Sequence, residues 1–147
     1  AELDALRQAE TLQDGTAAKA RAESARRLSD LYWELIYQEL VQGDLRVHAI
    51  QESLRYCDMV LLHAPDAPAL VLRRGRLLHL LGRPDEAAQA YQRARALGLP
   101  ATRVLPYEAE LCFERRDYRG TQALLQELSQ WSALPRLRPV VDYWKQS

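Results

Sequence analysis

Three glutamates, Glu108, Glu110 and Glu114, fall in one short stretch, and Glu110 and Glu114 stand four residues apart, on one face if that stretch is helical. Paired carboxylates are the raw material of general acid–base catalysis, which needs two acids held in different surroundings. The flanking sequence offers no loop that would wall off a pocket, and acids on a helix are normally solvated. His48, His63 and His79 belong to no HExxH pair and have no partner at metal-ligand spacing, so no metal ligand and no cofactor is assigned. Cys57 and Cys112 lie far apart in apolar helical stretches, which reads as two buried thiols in a reducing compartment. GxSxG, P-loop and GxGxxG patterns are missing from the sequence, so no catalytic residue is assigned and the chain is expected not to be an enzyme.

The whole chain restricts the function further. Its 147 residues suffice for a single domain with a real core, and 48% of them are apolar. Leu and Ala dominate over Val and Ile, which favours helix. Twenty basic residues balance 20 acidic ones. Nucleic-acid binders need a basic excess, so none is expected as a partner, and the basic run Arg73-Arg74-Gly75-Arg76 lies inside a helical stretch. No apolar run approaches the ~18 residues of a membrane span, so no membrane contact by this segment is expected. The chain begins with Ala rather than Met, and it is expected to be a piece of a longer or processed protein whose upstream part could carry a membrane anchor.

Helical periodicity, broken by short turn signals, covers almost everything. Residues 2–13 read as a helix broken at Asp14-Gly15-Thr16. Residues 17–42 read as one long helix, or as two with Ser29 as an internal cap, ending at Gly43-Asp44. Helices follow over 46–63, 68–81, 84–97, 102–115 and 118–130, with a last one ending near Trp144. Pro68 and Pro84 suit first helical turns, and Gly82 and Gly98 suit ends. The expected architecture is all-α, with seven or eight helices in stacked antiparallel pairs forming one domain over 1–147. Residues 1–29 would be an N-terminal cap or degenerate repeat, 30–67 a degenerate repeat, and 136–147 a closing helix carrying Val140, Val141 and Trp144.

Setting 68–101 against 102–135 gives a match at a period of 34, with Gly82-Arg83 falling on Arg116-Asp117 and Leu78 on Cys112. With Gly75, Gly82, Ala87, Tyr91, Ala94 and Pro100, the first segment resembles the tetratricopeptide repeat family. The second keeps the Asp117-Tyr118 turn but has Ala109, Thr121 and Leu125 at three signature places. The resemblance implies an α-solenoid in which Gly75 and Ala87 let paired helices approach, and Tyr91 fills the space between successive pairs. Arg74 and Glu108 occupy equivalent places in the two segments, and their register predicts an ion pair.

The resemblance also implies a concave face lined by first helices and used to bind proteins. Carried across residue by residue, its places are Leu72, Arg73, Arg76 and His79 in the first segment and Arg103, Tyr107, Glu110 and Phe113 in the second. Trp33, Glu34 and Tyr37 are the counterparts upstream. Arginine and aromatic residues are the types enriched at binding hot spots. Some family members hold a peptide carboxylate with Lys, Arg and paired Asn residues; this chain contains no Asn, so that clamp is not expected in its usual form. The chain is also similar, more distantly, to helical-repeat subunits of bacterial exopolysaccharide export machines of the Pel type. That likeness implies a scaffold in a larger assembly, in the cytoplasm and at the inner membrane if the parent chain is anchored, with the periplasm an open alternative. Self-association as a homo-oligomer is the alternative reading. RNA binding by a related helical-repeat class stands third, because the charge is neutral.

Overall fold

The computed structural model describes residues 2–130, which form six helices and no strand. These are α1 (Glu2–Tyr37), α2 (Gly43–His63), α3 (Pro68–Leu80), α4 (Pro84–Ala96), α5 (Ala101–Glu114) and α6 (Tyr118–Ser129). They fall into two compact units that divide between Asp66 and Ala67. Residues 131–135 and the expected closing helix over 136–147 lie outside the described residues. No described helix is long and apolar enough to cross a membrane.

The first unit is one helical hairpin. A run of small residues, Ala22, Ala25 and Ser29, brings α1 close against Ala49, Ser53 and Cys57 of α2, and all six are buried. At the closest approach the Ser29 hydroxyl donates to the Ser53 carbonyl and the Ser53 hydroxyl donates to the Ser29 carbonyl, both at 3.1 Å. Each hydroxyl thereby offsets the cost of burying a polar group between two helices. Further along, Tyr32 stacks on Tyr56 with ring centroids 6.2 Å apart. Glu39, at φ 55°, turns the chain out of α1 while the Leu40 amide donates to the Leu35 carbonyl, closing the helix end.

One expectation for this region is corrected. Asp14-Gly15-Thr16 does not break the helix: the Thr16 hydroxyl donates to the Leu12 carbonyl, and α1 runs unbroken for 36 residues. One glycine costs about 1 kcal/mol relative to alanine, too little to end a helix whose neighbours are Ala, Leu, Gln and Lys. Residues 2–29 form the leading part of the same helix that holds Tyr32 and Ile36. This merger, with the closing helix outside the described residues, is why six helices are seen and not seven or eight. At 1.5 Å per residue α1 is about 54 Å long against about 31 Å for α2, so its leading part outruns its partner, and residues 2–17 are exposed.

The second unit consists of the pairs α3–α4 and α5–α6, joined through α4 and α5. Leu77 and Leu78 of α3, Ala87 and Ala94 of α4, Val104, Leu105 and Ala109 of α5 and Leu128 of α6 are fully buried. Both pairs turn in the same way. Gly82 (φ 76°) and Arg116 (φ 61°) are both left-handed and stand 34 residues apart. The next amides, Arg83 and Asp117, donate to Leu78 and Cys112 at 3.0 and 2.9 Å. The Asp117 carboxylate then accepts from the Gly120 amide and caps α6. The repeated turn is thus a backbone fact as well as a sequence pattern, although the second copy lacks the glycine that its conformation favours.

Candidate functional site

Gly75 is the position from which the site is built. A methyl group there would lie 2.7 Å from two ring atoms of Tyr91, so its absence lets the Tyr91 ring pass flat beneath α3. Tyr91 is fully buried, stacked against Tyr107 of α5 with centroids 6.0 Å apart. Its hydroxyl oxygen lies 3.2 Å from His79 Nδ1 on α3. Burial raises the phenol pKa well above its ordinary value, so Tyr91 stays protonated and can donate or accept.

Around this ring the first helices of both pairs meet. Arg76 of α3 reaches Glu110 of α5 at 3.0 Å, and its guanidinium carbon lies 5.2 Å from the centre of the Tyr107 ring. One turn on, His79 Nε2 contacts a Glu114 carboxylate oxygen at 2.5 Å. His79 is almost wholly covered, whereas Glu114 is half exposed. The face thus has a row of charge and ring in which Arg76 touches Tyr107, His79 and Glu110, and His79 touches Glu114. Phe113 lies beside it on α5, 37% exposed, with the exposed Tyr118 ring edge-on to it.

The structure distributes the other expected site residues as follows. Arg73 is half-buried on α3, and Arg103 is exposed in the first turn of α5. Leu72 is corrected: it is buried, because α3 also buries Leu70, Val71, Gly75, Leu77, Leu78 and His79 and has little free circumference left. Trp33, Glu34 and Tyr37 form a patch of their own on the last turns of α1, where the Trp33 and Tyr37 rings stack at 6.4 Å and Glu34 accepts from Gln38. The Arg74–Glu108 pair is also corrected. Arg95 of α4 lies 3.4 Å from Glu108 and 3.0 Å from Glu127, tying α4, α5 and α6 together. Residues two apart on a helix point about 200° away from one another, so the cross-repeat pair forms at Arg76–Glu110, with the expected 34-residue separation, and on a different face.

Two members of the site were not singled out from sequence as site residues. Tyr91 had been given only a packing role, and Glu114 was visible only as the i, i+4 neighbour of Glu110. His79, Glu110 and Glu114 place their ligand-type atoms within 4.8 Å of one another. The opposite face of α5 lines a cleft of about 390 Å³ with Glu108, Leu111, Cys112 and Arg115. There burial raises the pKa of both the Glu108 carboxyl and the Cys112 thiol, which favours their neutral forms and leaves the thiol a poor nucleophile. Compared with known proteins, the chain matches no family model and no curated sequence.

Proposed function

We propose that this chain is a non-catalytic protein-interaction scaffold of the tetratricopeptide type, which binds a partner protein or peptide on the face formed by α3 and α5. The observation that carries this reading is the row Arg76–Tyr107–Glu110–Phe113: rings and a guanidinium, partly exposed and fixed in place by neighbours before any partner arrives. Preordered aromatic and arginine side chains lose little freedom on binding, which is what hot-spot residues need. The turn recurring at Gly82 and Arg116 supports the repeat assignment. The likeness to Pel-type export subunits supports a place in a bacterial exopolysaccharide assembly, in the cytoplasm and at the inner membrane if the parent chain is anchored, with the periplasm the alternative. Affinity capture from the source cells with the wild-type chain and with Arg76→Ala/Phe113→Ala tests the reading. A partner retained by the first and lost by the second, at equal helical circular dichroism, is the expected result. Equal retention by both would move the binding surface elsewhere.

Self-association is the second reading, favoured by Leu3, Leu6 and Leu12 on the leading part of α1, each more than 60% exposed. Leu3 and Leu6, three residues apart, share one side of the helix and could seat a second helix, whereas Leu12 lies about 180° round from Leu3. Light scattering over a dilution series separates the two, since a monomer at all concentrations removes this reading.

A further inference from the structure

We propose that His79, Glu110 and Glu114 form a binding site for one divalent transition-metal ion of the zinc class, which clasps α3 to α5. The ligand atoms come from two helices and lie within 4.8 Å of one another. Tetrahedral ligands at 2.0–2.1 Å from zinc are about 3.3 Å apart, so the site closes by small rotations at the ends of two glutamate side chains. Imidazole with two carboxylates is a borderline donor set that suits zinc and its neighbours in the first transition row better than calcium or magnesium.

A second observation comes from the other side of the ring. A metal-binding histidine needs its remaining nitrogen held by a hydrogen-bond partner, which fixes tautomer and orientation. Tyr91, fully buried and pinned between Gly75 and Tyr107, supplies that partner at His79 Nδ1 and leaves Nε2 directed at the carboxylates. The phenol hydroxyl serves both states. Without the ion it donates to Nδ1 while Nε2–H donates to Glu114; with the ion Nδ1–H donates to the phenol oxygen and Nε2 is free to ligate. Arg76, 3.0 Å from Glu110 and 3.4 Å from His79 Nδ1, is the opposing feature. Its charge weakens the site. Three protein ligands leave a coordination position open, available to water or to a side chain of a bound partner.

The inference concerns the purified chain alone and stands or falls independently of the partner-binding reading. The experiment is titration of the chelator-treated full chain with ZnCl₂ by calorimetry and with CoCl₂ by visible absorption. One ion per chain, with cobalt bands of a low-coordinate nitrogen–oxygen site, is expected. Glu110→Gln and Glu114→Gln should each weaken binding tenfold or more, and Tyr91→Phe about tenfold through ring orientation. Arg76→Gln should tighten it several-fold, an effect that a plain hydrogen-bonded His79–Glu114 contact would not produce. Circular dichroism checks that each variant folds. No binding at millimolar cobalt, or binding that neither glutamate substitution changes (as at His48 or His63), overturns the proposal.

Discussion

Replacing Gly75 by alanine drives a methyl group into the Tyr91 ring. The new carbon would sit 2.7 Å from ring atoms Cδ1 and Cε1 and 3.1 Å from the Ala90 methyl. Comfortable carbon–carbon contact is about 3.5–4.0 Å, so the ring must retreat by about 1 Å. It has nowhere to go: Tyr91 is fully buried, Tyr107 stacks on it, and its hydroxyl faces His79. With no room for the ring to retreat, the overpacking cost falls in the upper part of its usual range, about 2–3 kcal/mol. The better helix propensity of alanine returns about 1 kcal/mol, leaving a net loss of about 1–2 kcal/mol. Urea unfolding followed by circular dichroism reads this as a midpoint lowered by about 0.5–1 M for a slope near 2 kcal/mol/M. Shortening the ring with Tyr91→Leu should relieve the clash, so the double variant should lose less than the two single losses combined. At Gly15, where nothing lies within 4 Å, the same change to alanine should only raise the helix content of α1. Stability unchanged or increased at Gly75, as at Gly15, would refute the close approach on which the site is built.

Arg116 holds a left-handed conformation at φ 61° in the turn where its 34-residue counterpart is Gly82. Arg116→Gly should therefore stabilise the chain by about 0.5–1 kcal/mol, and a measured loss would mean that the side chain carries a contact worth more than the strain. Ser53→Ala removes one of the two reciprocal hydroxyl bonds between α1 and α2 and leaves the Ser29 carbonyl without that donor. A loss of about 1–2 kcal/mol is expected in thermal or urea unfolding, and a neutral result would show that the hairpin closes on shape alone. Burial, as the leading cause, raises the Glu108 pKa despite Arg95 beside it. A carboxyl whose folded pKa lies above its unfolded value stabilises most when protonated, and that contribution is lost as pH rises through the folded pKa. Wild-type stability should accordingly gain on that of Glu108→Gln as pH falls from neutral through the carboxylate range, and a gap that widens instead would reverse the assignment of burial as the dominant cause.

Local chemistry was legible in the sequence. Pro68 and Pro84 start helices where expected, and the turns at Gly82 and Arg116 fall at their expected places, because each rests on residues adjacent in the chain. The family resemblance gave Gly75 a role in letting paired helices approach, but that the Tyr91 ring is what lies against it shows only in the structure. Glycine misled at Gly15, where a weak local penalty met long stretches of good helix formers on both sides. Side-chain pairing across helices was harder. The 34-residue register correctly brought equivalent positions together, yet rotation about each helix axis decided which ones, choosing Arg76–Glu110 over Arg74–Glu108. Glu110 and Glu114 share a face at i, i+4, but His79 lies more than 30 residues from both, so only packing of α3 on α5 brings the three together.

Photo-crosslinking in the source cells tests the central claim most directly. A benzophenone amino acid at Phe113 or Tyr107 samples the proposed binding face, and the same group at the exposed Gln89 of α4 and Gln122 of α6 samples other helices. One defined protein adduct from the first two positions, and none from the controls, is the predicted result. Adducts from the controls alone, or equally from all four positions, would contradict a partner seated on α3 and α5.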